Sequence, residues 1–127
     1  MTTSTNKSGK KGLARVIDAT HYSLQGLRAA FANEAAFRQE CILFLVSIPL
    51  AFWIAHSVLL FAALVGVGLI VLLAEILNSA IEAIVDLASP TRHELAGRAK
   101  DMGSAGVFIA LALFVLVWGA AIISRIV

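Results

Sequence analysis

The sequence is short of nearly everything that a water-facing surface is made from. Asp, Glu, Lys and Arg together supply 14% of its 127 residues, against about 25% in an ordinary globular domain. The apolar set reaches 60%, which excludes a soluble enzyme and a disordered tail and leaves a membrane protein. The single cysteine, Cys41, sits among Ile42, Leu43, Phe44 and Leu45, so neither an intrachain disulfide framework nor a cysteine metal site can form. A net charge of +2 is too small to indicate a nucleic-acid partner. No G-x-x-x-x-G-K-[ST] loop, H-E-x-x-H, G-x-S-x-G or H-R-D with D-F-G occurs, so any phosphate chemistry must use an architecture outside those soluble templates. His21, His56 and His93 are too scattered in sequence to suggest a metal site.

What is present is organised in helices. Residues 1–12 are polar, basic and rich in small residues and read as a mobile tail ahead of a single domain over 13–127. Leu13, Val16, Ile17, Leu24, Leu27 and Phe31 then form one stripe of a helix over about 13–32, with Arg15, Asp18, His21, Gln25 and Arg28 on its other faces, the pattern of a helix lying on a membrane surface. The uncharged run from Cys41 to Ala74 holds 34 residues. As one helix it would be about 51 Å long, too long for a bilayer core of about 30 Å, so it must fold back at His56-Ser57. Spans are expected over about 34–55, 58–88 and 102–123, with a local kink at Pro49 and Ser89-Pro90 closing the second. The fold class is therefore all-α membrane protein, with a polar connection from Thr91 to Asp101.

Lys and Arg concentrate before and at the very start of the first span (Lys7, Lys10, Lys11, Arg15, Arg28, Arg38) and in the second connection (Arg92, Arg98, Lys100), whereas the His56-Ser57 turn has none and the C-terminal end has Arg125. By the positive-inside rule the N-terminus is cytoplasmic and the C-terminus outside.

The second span carries Glu75, Asn78, Ser79, Glu82 and Asp86. At 100° per residue Glu75, Asn78, Glu82 and Asp86 fall within an arc of about 80°. An acidic residue at the bilayer centre costs roughly 2.5–3.5 kcal/mol, so this stripe faces a partner, a cavity or an ion. Interhelical hydrogen bonding alone would account for Asn78 and Ser79. Glu75 and Glu82, seven residues apart on one face, suit a divalent cation and a general base. Two further clusters stand at the membrane rim: 93–101 (HELAGRAKD), suited to anions at a helix start or simply a solvated positive loop, and 33–40 (NEAAFRQE), whose charges could anchor the surface helix in headgroups.

The strings EAAFRQE (Glu34 to Glu40), AEILNSAIEAIVD (Ala74 to Asp86) and ELAGRAKDMGSAG (Glu94 to Gly106), with GLRAAF (Gly26 to Phe31), closely resemble the prokaryotic diacylglycerol kinase family. The resemblance implies transfer of the γ-phosphoryl of ATP, with Mg²⁺, to the hydroxyl of diacylglycerol, in a homotrimer whose sites form between subunits at the cytoplasmic face of a bacterial inner membrane. It implies Glu75 as general base and Glu34 and Glu82 as holders of the ATP-bound metal. Arg15, Tyr22, Thr91, His93, Lys100 and Asp101 would join Glu34 and Glu82 around ATP. Arg15, Arg28, Ala29, Ala30, Phe31, Gln39, Glu40, Glu75 and Ser104 would surround the lipid, with Asn78 and Asp86 supporting. An undecaprenol kinase shares these motifs, and a non-catalytic helical assembly or an ion pathway along Glu75, Glu82 and Asp86 is the reading from another class.

Overall fold

A computed structural model describes residues 11–127; the tail expected over 1–12 lies outside the described residues except for Lys11 and Gly12. Four helices follow one another: α1 (Leu13–Asn33), α2 (Ala35–Ile54), α3 (Val58–Ala88) and α4 (Glu94–Ile126). No strand occurs among the described residues.

Local chemistry sets each boundary. Gly12, at φ +68°, takes the left-handed conformation that a Cβ would resist and turns the chain into α1. At Glu34 the backbone is extended, yet its N–H still bonds Ala30 O at 2.9 Å and its carbonyl accepts from Arg38 N–H at 3.1 Å. The chain thus changes direction within one residue. α2 continues through Pro49, as an apolar helix tolerates when one backbone bond is lost. Ser57 caps α3, its hydroxyl oxygen accepting from Leu60 N–H at 3.1 Å, the usual device at a helix start.

α4 starts earlier than its apolar stretch. The expected connection from Thr91 to Asp101 is helical from Glu94 onward, because His93 Nδ1 accepts from Leu95 N–H at 3.1 Å and caps the helix. Glu94 in the first turn complements the helix dipole, and Arg98 lies one turn on at 3.9 Å from it. The polarity of 94–101 reflects a helix end standing in water.

α3 packs against both α2 and α4. The apolar core comprises Ala51, Ile54, Leu64, Val67, Trp118 and Ala121, from the end of α2, the start of α3 and the end of α4, so it occupies one end of an antiparallel bundle. There Trp118 stacks on Phe114 at 5.4 Å and donates its indole N–H to Leu64 O at 3.3 Å. The acidic and basic residues gather at the opposite end. With 31 and 33 residues, α3 and α4 are about 46 and 50 Å long, longer than the roughly 30 Å hydrocarbon core, so their polar ends project beyond it. α2, α3 and α4 are each long and apolar enough to span a membrane, and outward residues such as Leu43, Phe52, Leu59, Phe108 and Leu116 are exposed. The molecule is an all-α integral membrane protein.

Candidate active site

Along α3 the polar stripe passes from buried to exposed: Glu75 is 8% exposed, Asn78 and Glu82 are half-buried and Asp86 is exposed. An α3 carboxylate buried among apolar helices is costly without a partner. Its partner comes from α2: the carboxyl groups of Glu40 and Glu75 approach within hydrogen-bonding reach. Two carboxyls sharing a contact require a proton or a cation between them. Glu34, at the α1–α2 corner, and Glu82, two turns along α3, are both close enough for their charges to act on Glu75. Four carboxylates from three chain segments therefore converge at one end of the bundle.

Asn78 meets one member of this group. Its Nδ2 lies 3.5 Å from Glu82 Oε1, a contact within α3. Its Oδ1 is buried without a partner, as is Glu40 Oε2. The amide fits because α4 presents Gly103 against it; a Cβ there would collide with Asn78 Oδ1. Below Glu40, an apolar cavity of about 110 Å³ runs between Leu43, Phe44, Gly68, Val71 and Phe114.

A second, more polar hollow of about 320 Å³ lies where α3 turns into α4, lined by Asp86, Ser89, Thr91, Arg92, His93 and Lys100 among others. Lys100 Nζ meets Asp86 Oδ1 at 2.5 Å, tying the two helix ends together, and Ser89 Oγ donates to Thr91 O at 2.8 Å. With Nδ1 of His93 engaged as a cap, its Nε2 remains for a ligand.

Comparison with known proteins decides what this arrangement belongs to. The sequence pattern described as prokaryotic diacylglycerol kinase matches residues 21–122. The chain is 50% identical to a diacylglycerol kinase of Haemophilus influenzae over 85% of its own length and 92% of that protein's. It is 49% identical to one of Escherichia coli (84% and 88% covered) and 50% to one of Pseudomonas aeruginosa (87% and 89%).

The chain belongs to the prokaryotic diacylglycerol kinase family.

Membership makes it a membrane-embedded kinase. Of the residues that the family resemblance singled out, one chain brings together Glu34, Glu40, Glu75, Asn78 and Glu82, and separately Asp86, Thr91, His93 and Lys100. Gln39, Asp101 and Ser104 are exposed at the same end of α2 and α4. Others are not gathered in. Arg28, Ala29, Ala30 and Phe31 occupy the last turns of α1, where Ala30 is buried at the corner. Tyr22 and Arg15 are exposed and stand about 18 and 28 Å along α1 from Glu34, at 1.5 Å per residue. The residues that the sequence reading missed are Arg38 and Gly103. A basic residue in the first turn of a helix, against its dipole, was the available signal for Arg38.

The donors available to a metal at this end of the bundle are carboxylates, a ligand class that Mg²⁺ takes. The described residues contain no group of three or more His, Cys, Asp or Glu side chains able to hold a metal by themselves. Mg²⁺ does not require one, since it commonly uses one or two carboxylates and completes its shell with waters and substrate phosphates.

Proposed function

We propose that this protein transfers the γ-phosphoryl of ATP to the free hydroxyl of diacylglycerol, releasing ADP and phosphatidic acid at the cytoplasmic face of a bacterial inner membrane. The observation that carries this reading is the convergence of Glu34, Glu40, Glu75 and Glu82 at the end of the bundle where α3 leaves the bilayer. Counting about 20 residues of membrane from the Ser57 cap brings the interface near Asn78. Glu75 then lies just inside it, within reach of a lipid hydroxyl, and Glu82 and Asp86 lie outside, within reach of a nucleotide.

Phosphoryl transfer is mainly positioning and charge neutralisation. Glu75 accepts the proton of the lipid hydroxyl as its oxygen bonds to the γ-phosphorus and the bond from that phosphorus to the β-bridging oxygen breaks. Glu40, beside it, orients that carboxylate. Glu34 and Glu82 hold Mg²⁺, which when bound with ATP neutralises phosphate charge. Asn78 steadies Glu82. Lys100 and His93 bind phosphates in the hollow between α3 and α4, with Thr91, Asp101 and Asp86 around them. The lipid lies against Arg28, Ala29, Ala30, Phe31, Gln39 and Ser104 with a chain along the apolar cavity below Glu40. Arg15 and Tyr22, distant along α1, serve the site of a neighbouring copy in a homotrimer.

The test is acceptor choice. Membranes containing the protein, given γ-labelled ATP and either diacylglycerol or undecaprenol, should label phosphatidic acid; labelling of undecaprenol alone would overturn the assignment.

A further inference from the structure

Arg38 occupies the first turn of α2, where a cation faces the positive end of the helix dipole and is unfavourable. Its guanidinium does not stay there. Nη1 donates to Phe31 O at 2.8 Å and to Ala32 O at 3.1 Å, two of the carbonyls that the last turn of α1 leaves without an intrahelical donor. The misplaced charge on α2 is thereby a well-placed one at the C-terminal, negative end of α1. The side chain spans the corner in which Glu34 is the single extended residue. Glu34 holds the N-cap position of α2 but makes no side-chain cap bond, so its carboxylate does not fix the corner by capping. The backbone bonds of Glu34 set where the chain bends, and Arg38 sets the angle between the helices by joining the end of one to the start of the other.

We infer that Arg38 is a positioning residue for phosphoryl transfer: by clamping α1's final carbonyls to α2 it aims the Glu34 carboxylate toward Glu75 and Glu82. This rests on Glu34 holding the nucleotide's metal. Both bonds leave from the one Nη1 atom; arginine suits this because its rigid planar head holds that nitrogen across the corner, whereas an ammonium on a flexible four-carbon stem holds the same place less firmly. The charge is an internal clasp between helices, which a headgroup anchor would not be.

The experiment is steady-state kinetics in diacylglycerol-containing vesicles, with Mg²⁺ and ATP varied, on Arg38→Gln, Arg38→Lys, Glu34→Gln and the double variant Arg38→Gln/Glu34→Gln. Arg38→Gln should raise the Mg²⁺ and ATP concentrations for half-maximal rate by about tenfold and that for diacylglycerol by a clearly smaller factor, since Phe31, whose carbonyl it holds, also meets the lipid in the proposed function. Arg38→Lys should fall between it and the wild type. In the Glu34→Gln background, Arg38→Gln should add little, because two residues acting through one interaction are not additive. If Glu34→Gln alters metal dependence while the Arg38→Gln effect multiplies with it, or appears in the diacylglycerol requirement instead, the positioning role is wrong. If Glu34→Gln itself leaves metal dependence unchanged, the metal assignment fails and the inference fails with it. Helical content and oligomer size of each variant, measured alongside, separate these outcomes from misfolding; an Arg38→Lys variant that folds with unaltered kinetics would also overturn the proposal.

Discussion

Glu75 and Glu82 lie two turns apart on one stripe of α3, yet they meet different surroundings. Glu75 is buried against Glu40 from α2, and Glu82 is half-exposed beside Asn78. Different environments for chemically identical groups are how one site assigns a base and a metal ligand. Glu34→Gln and Glu82→Gln should each raise the Mg²⁺ requirement by at least the roughly 10–100-fold that loss of an outer partner of a metal ligand costs, read as rate against free Mg²⁺. Lys100 and Asp86 form an exposed pair, which contributes little to stability. Lys100→Met should therefore keep the melting point of the wild type while weakening ATP, measured as a higher KM. The α3 stripe was legible because helical periodicity alone puts its members on one face. The Glu40–Glu75 contact was not, since no spacing rule relates residues on different helices.

α4 illustrates where polarity misleads. HELAGRAKD reads as a loop because it is charged and contains Gly97, but a helix longer than the bilayer is thick must end in water and be polar there. The N-cap signal was also unusual: a histidine ring nitrogen stands where Ser, Thr, Asp or Asn is expected. Against that, the His56-Ser57 turn was legible from length arithmetic, and Ser57 caps α3 as such residues do. Gly103 could not be recognised, because only the α3–α4 packing reveals that Asn78 fills the space a side chain would take. Gly103→Ala should destabilise by about 1–3 kcal/mol, the usual cost of overpacking, seen as a lower denaturation midpoint. Adding Asn78→Ala should recover much of that loss, whereas additive effects would show that the close approach is not the cause.

At the scale of the whole molecule, the chain divides into an apolar end that holds the bundle together and a polar end that gathers carboxylates. One copy leaves much uncovered: the apolar stripe of α1, including Leu13, Val16 and Ile17, is exposed, and Arg15 is too far along that helix to reach Glu34 of its own chain. In the proposed function, sites shared between copies account for both. Mixing Arg15→Ala with Glu75→Gln chains before reconstitution should restore activity, because a copy supplying Arg15 then meets a neighbour supplying Glu75; no recovery would place both residues in a site of one chain. The scarcity of charge that marks the sequence is also a placement, since the acidic residues of α2 and α3 gather at the end of the bundle where the proposed reaction brings lipid and nucleotide together. The most direct measurement is turnover of purified Glu75→Gln in diacylglycerol vesicles with γ-labelled ATP. Label in phosphatidic acid should fall by about 10²–10⁴ relative to wild type, the range for loss of a general base, with the oligomer intact. Turnover at the wild-type rate would contradict the placement of catalysis at the Glu75 carboxylate.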